Sequence, residues 1–250
     1  MARRTCGRWV GAVVVAGVLA GCTSGASGDE RSLQVLAAAS LTEVFTDLGE
    51  EFEAAHDGVD VEFSFGSSTD LAEQAADGAP GDVLATADEA AMTVAADAGA
   101  AVGPAIFATN TLVIATAPGN PAGIESLADL AGTTWVRCAD EVPCGRAAVA
   151  LLEDAGVPAE PASLEEDVRA TLDKVTSGEA DAALVYATDA VSAGGSVDAI
   201  EIEGADAARN AYAVAPLAQA ADADLARAWI DLVTGPEGRA ALAGAGFGQP

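Results

Sequence analysis

Serines placed where strands give way to helices, a tyrosine ending a buried strand, and two further helix starts are the chemically suggestive residues of this 250-residue chain. Ser40 closes an apolar run over residues 35–39 and is followed three positions later by Glu43. Helical spacing begins at once at Leu41, Val44, Phe45 and Leu48, so Ser40 and Glu43 read as a capping box, with Glu43 reaching back to the Ser40 backbone N–H. A helix N-terminus carries unpaired N–H groups and a partial positive charge, which makes such a junction a seat for an anion. Alone, Ser40 is only a cap. The pattern recurs, however: a strand over 59–65 runs into Gly66-Ser67-Ser68-Thr69-Asp70 and a second helix start. Loop-to-helix junctions follow at Cys144 and near Val168, and Tyr186 adds a phenol at the end of a strand. Neutral donors of this kind suit an ionised oxyanion that is held and not transformed.

Catalytic chemistry finds little support. His56 is the one histidine, in a polar turn, and no nucleophile elbow, phosphate loop, dinucleotide fingerprint or zinc-helix motif is present. The many carboxylates read as a solvated surface. A formal net charge of −28 repels nucleic acid and anionic membranes, so an anion site must depend on local donors. With aromatics at 4%, the core has to be built from Ala, Val and Leu.

The elements that position these residues follow an export segment. Arg3, Arg4 and Arg8 precede an apolar stretch over 10–20, a signal peptide ending at residue 21. Leu19-Ala20-Gly21-Cys22 resembles a bacterial lipobox, which implies lipidation of Cys22, and residues 22–32 read as a flexible tether. In an oxidising compartment the remaining cysteines, Cys138 and Cys144, form a structural disulfide; a redox pair would favour C-x-x-C. Strand and helix then alternate as in parallel βαβ units. The long apolar run over 106–117 crosses into a second lobe, and a strand near 211–215 crosses back. The expectation is α/β: two lobes of mixed, mostly parallel sheets flanked by helices, residues 33–112 with 212–250 forming lobe I and 113–211 lobe II, around a cleft.

Six segments, in order, carry a family resemblance: AAASL from residue 37, FGSSTDLAEQ from 65, GAPGDVLATAD from 78, VPCG from 142, EEDVR from 165 and LVYATDA from 184. The chain resembles the molybdate-binding substrate-binding proteins of ABC transporters, the ModA type. That resemblance implies a type II periplasmic-binding-protein fold. It further implies molybdate or tungstate in the interlobe cleft, held by Ser40, Ser68 (or Ser67 in its place), the backbone N–H groups of Cys144 and Val168, and Tyr186. No cofactor is implied, and no side chain coordinates the metal directly. Arg146, just past VPCG, either adds a ligand or pairs with a nearby carboxylate. Implied partners are the permease and its ATPase, with contact to the outer face of the cytoplasmic membrane through the lipid only and the protein itself monomeric. Hinges are expected near 110–113 and 211–214. The rival readings are a binder of sulfate or phosphate, an exported hydrolase or thiol oxidoreductase on the same fold, and an interaction domain with an empty cleft.

Overall fold

Strand β1 (Arg31–Ala38) is buried along its second half, and a strand covered on both faces belongs inside a helix-flanked sheet. The computed structural model describes residues 31–158 and 160–250. The signal peptide, Cys22 and all but the end of the tether lie outside them. The last two residues assigned to the tether, Arg31 and Ser32, belong to β1, because β2 extends far enough to pair with them at Val59 and Asp60.

After β1 come α1 (Thr42–Ala55), β2 (Val59–Gly66), α2 (Ser68–Ala76), β3 (Val83–Thr86), α3 (Glu89–Asp97) and β4 (Ala105–Asn110). The second half follows with β5 (Leu112–Thr116), β6 (Trp135–Cys138), α4 (Pro143–Asp154), β7 (Ser163–Glu165), α5 (Val168–Thr176), β8 (Ala182–Tyr186), α6 (Ala187–Ala193) and β9 (Asp198–Glu201). The chain then returns through β10 (Asn210–Pro216) and ends in α7 (Ala223–Thr234) and α8 (Pro236–Gly244).

Two five-stranded sheets result, in the orders β2-β1-β3-β10-β4 and β7-β6-β8-β5-β9. In each, three strands run parallel and the next is reversed. The reversed strand is the one by which the chain enters a sheet after crossing over, β10 in the first sheet and β5 in the second. This is the two-lobed periplasmic-binding-protein architecture.

The apolar run over 106–117 is therefore two strands in different sheets. It breaks at Thr111, whose N–H is taken by the Asn110 side chain at 3.0 Å and whose carbonyl accepts from the Ala187 amide at 2.9 Å. An asparagine satisfying its neighbour's backbone turns the chain without a glycine. The spacing of Val168, Leu172 and Val175 predicts a helix from Glu165, but Glu165 instead ends β7, and α5 begins only after Asp167 caps it.

Alanines in the strands allow close packing, while α7 is fixed by Trp229. Its indole stands edge-on to Phe45 and Phe52, with centroids 5.5 Å away from each, and inclined to Phe63 at 5.6 Å, arrangements that favour aromatic pairs. Among the described residues, no helix is long and apolar enough to cross a membrane.

Cys138 and Cys144 are bonded, with their Cα atoms 5.7 Å apart, tying the end of β6 to the first turn of α4. A loop this short is worth about 2 kcal/mol in the chain-entropy model. Urea unfolding with and without reductant is expected to differ by about that amount, and coincident curves would show that the bond adds no stability.

Candidate functional site

Parallel strands all end on the same side of a sheet, and ligands of open α/β sheets bind beyond those carboxyl ends. Here two sheets point theirs at one another. β1, β2, β6 and β8 end at Ala38, Gly66, Cys138 and Tyr186, and the segments following them enclose a cavity of about 20 Å3. One water needs about 10–15 Å3 on that measure, so the space is that of one small compact ligand and not of an extended one. Ser40, Ser67, Ser68, Cys144, Val168 and Tyr186 all line it. Among the described residues, no lysine or arginine does.

Each donor has a local cause. Ser68 opens α2 and is nearly sealed from solvent, at 2% exposure. Its Oγ accepts from the Ala87 amide at 2.9 Å, leaving its proton free to donate. Ser67 is the residue that caps α2, accepting from Asp70 N–H at 3.4 Å. Cys144 follows Pro143 in the first turn of α4 and Val168 is the first residue of α5; amides in those positions have no acceptor within their own helix. Gly145 lets the α4 turn approach β6, because a Cβ there would lie 1.7 Å from the Ala139 carbonyl oxygen.

Tyr186 differs from the rest. It is 1% exposed, and burial and then the neighbouring Tyr212 phenol push its own phenol well above the usual range. The Tyr212 hydroxyl lies too far away to serve as a partner, so the Tyr186 hydroxyl has no hydrogen bond of ordinary length among the described residues. Asp167, a carboxylate on the cavity wall, is occupied in capping α5: its Oδ1 accepts from Arg169 and Ala170 N–H at 2.8 and 2.9 Å.

The Ser40–Glu43 capping box does not form. Ser40 lies inside a 3-10 turn, Ala39–Leu41, and α1 starts only at Thr42. Its hydroxyl instead meets the Tyr212 hydroxyl at 2.8 Å. Glu43 is drawn by opposite charge to Arg169 in the second lobe. Arg146 also reaches across, to Asp88 at 2.7 Å, and it does not line the cavity. Thr69 Oγ1 donates to the Glu141 carbonyl at 2.8 Å, a third tie between the lobes. Tyr212 is a residue that sequence reasoning missed. The available signal was composition: the chain has two tyrosines, and they stand 5.9 Å apart, ring to ring, beside this cavity.

A family model described as bacterial extracellular solute-binding protein matches residues 33–248. The molybdate-binding protein ModA of Mycobacterium tuberculosis is 42% identical, over 97% of this chain and 100% of that protein. Among solved structures, the periplasmic molybdate-binding protein of Azotobacter vinelandii superposes with a TM-score of 0.76 at 21% identity, covering 87% of this chain and 99% of that one. The sulfate-binding protein SubI of M. tuberculosis gives the same TM-score, 0.76, at 19% identity, covering 87% and 86%. These last two likenesses concern fold, and they span two different anions.

Behind Tyr186, at the start of α6, Asp189 is 1% exposed. One oxygen accepts the Tyr186 amide at 3.1 Å, and the other has no partner among the described residues. Burial raises its carboxyl from 3.8 to about 7, partly opposed by Arg169 and the Tyr186 amide. The folded state therefore holds this proton more tightly than the unfolded chain does. The burial penalty is complete above about pH 7 and shrinks as pH falls through 7 towards 4. Asp189→Asn removes it. Denaturation across pH 5–8 is expected to show the Asp189→Asn variant gaining most over wild type at pH 8 and least at pH 5; a constant difference would contradict the burial argument.

Proposed function

The chain belongs to the bacterial extracellular solute-binding proteins, in their ModA-type branch, and on that premise we propose that it captures molybdate, and tungstate with it, in the cavity between its two lobes. The ligands are Ser40, Ser68, Tyr186 and the amides of Cys144 and Val168, with Ser67 retained as the helix cap. The observation that carries this reading is the Tyr186 hydroxyl, buried in the cavity without a partner among the described residues. Leaving such a group unpaired costs about 1–3 kcal/mol, a cost that an arriving oxyanion removes.

The donor set matches the ligand's chemistry. Hydroxyls and amides at helix starts offer protons to a fully ionised tetrahedral anion and supply no cation that would hold every dianion alike. Hydrogen phosphate brings a proton that needs an acceptor; Asp167 on the wall has Oδ1 engaged in its helix cap, and phosphate is therefore a competitor to be tested beside sulfate. Discrimination against sulfate rests on size, since longer metal–oxygen bonds fill a wider ring of donors. The SubI likeness makes sulfate the reading to exclude.

Closure follows from the ties already described. The two lobes, each built on one sheet, flex at the crossings that lead from β4 into β5 and from β9 into β10. The second crossing lies earlier in the chain than the hinge expected near 211–214, since those residues sit within β10. The cross-lobe bonds of Arg146, Arg169 and Thr69 form as the anion is enclosed. The closed protein, a monomer held by lipid on Cys22 at the outer face of the cytoplasmic membrane, delivers its anion to a permease and ATPase. It performs no catalysis.

A thermal-shift panel tests the ligand. Molybdate or tungstate at about 100 times its Kd adds about 2.7 kcal/mol, or roughly 5–10 °C for a chain of this size, with sulfate and phosphate shifting it less; a larger sulfate shift would reassign the protein. The site is tested by Tyr186→Phe, expected to weaken molybdate binding about tenfold or more while leaving the ligand-free melting temperature unchanged or raised. Unchanged affinity in that variant would remove Tyr186 from the site.

A further inference from the structure

Tyr212 does not line the cavity, yet it is fully buried and bonded to a residue that does. It sits where β10 slips register against β4, between Tyr212 and Ala213, and bulges of this kind re-aim a side chain. Its ring packs against Phe107 and Phe247 at centroid distances of 6.1 and 5.3 Å. Packing accounts for an aromatic residue here. It does not account for the hydroxyl.

The hydrogen bonds around that hydroxyl have a direction. Thr111 N–H donates to Asn110 Oδ1 at 3.0 Å, which fixes which end of the Asn110 amide is oxygen. Its Nδ2 then faces Thr188 Oγ1 at 2.8 Å and Tyr212 Oη at 3.4 Å. An amide nitrogen donates and cannot accept, so Tyr212 Oη is the acceptor there. The phenolic proton is then free, and of the two hydroxyls beside it, those of Ser40 and Tyr186, Ser40 Oγ is the one within hydrogen-bond distance, at 2.8 Å. Ser40, receiving that proton, keeps its own for the remaining direction, the cavity.

We propose that Tyr212 is a positioning residue: with Asn110 it forms a one-way relay that turns the Ser40 hydroxyl proton onto the bound oxyanion. The inference rests on the reading that this cavity holds molybdate with Ser40 as a donor. Without the relay, a serine hydroxyl is equally able to present its lone pairs, which repel an anion. The relay begins at the Asn110–Thr188 bond, beside the point where the chain crosses between sheets.

A double-mutant cycle with molybdate, read by calorimetry, tests this on the wild type, Ser40→Ala, Tyr212→Phe and the double variant. Tyr212→Phe keeps the ring packing and is expected to weaken binding about tenfold. In the Ser40→Ala background the same change is expected to cost less than about twofold, since there is no hydroxyl left to orient. Equal losses in both backgrounds, or no loss with Ser40 intact, would overturn the relay while leaving the cavity as the molybdate site. A Tyr212→Phe chain that fails to fold would assign the hydroxyl to the fold and overturn it too. Absence of binding by the wild type would instead remove the molybdate reading and the relay with it.

Discussion

A donor buried without an acceptor is a debt in any folded chain, and this structure concentrates such donors at one point. The Tyr186 hydroxyl has no partner among the described residues, and the amides of Cys144 and Val168 open helices that cannot satisfy them. Satisfying them from within the protein would need an acceptor in the cavity. Among the described residues, its wall of alanines, glycine, serines and helix turns carries one carboxylate, Asp167, whose Oδ1 is taken up by its own helix cap. Two sheets aim their parallel strand ends at each other, so helix starts from both lobes surround the same small space. On the proposed reading the fold creates the shortage and a bound anion ends it.

Much of the remaining architecture keeps that space closed and shaped. Arg146 on Asp88, Arg169 on Glu43 and Thr69 on the Glu141 carbonyl join the lobes around the rim. Each ion pair is partly exposed and individually weak, as a closure that has to reverse requires. The Cys138–Cys144 bond restrains the loop that presents the Cys144 amide, and Gly145 allows the α4 turn to lie against β6. Asp189, buried behind Tyr186, is costly above neutral pH, and it holds the Tyr186 backbone in place.

The residues that line the candidate cavity were largely legible in the sequence because its parts are local: a serine or a helix start just beyond an apolar strand is visible within about ten residues. Ser40, Ser68, Cys144, Val168 and Tyr186 emerge from that pattern together with the family resemblance. Roles that depend on distant partners were not legible. Glu43 reads as a local cap, and the charge that claims it lies 126 residues away. Tyr212 carries no local signal because its meaning comes from Ser40, 172 residues distant. The fold class was readable from strand–helix alternation, but not the break at Thr111, since an unbroken apolar run hides a strand that changes sheets.

The central claim is that one tetrahedral oxyanion sits among donors from both lobes, and diffraction at the molybdenum absorption edge tests it most directly. The account predicts, in crystals of the protein with molybdate, a single anomalous peak inside the cavity, with its oxygens within hydrogen-bond distance of Tyr186 Oη, the Ser40 and Ser68 hydroxyls and the Cys144 and Val168 amides. A peak elsewhere, or an anion held by one lobe alone with the Tyr186 hydroxyl still unpaired, would contradict it.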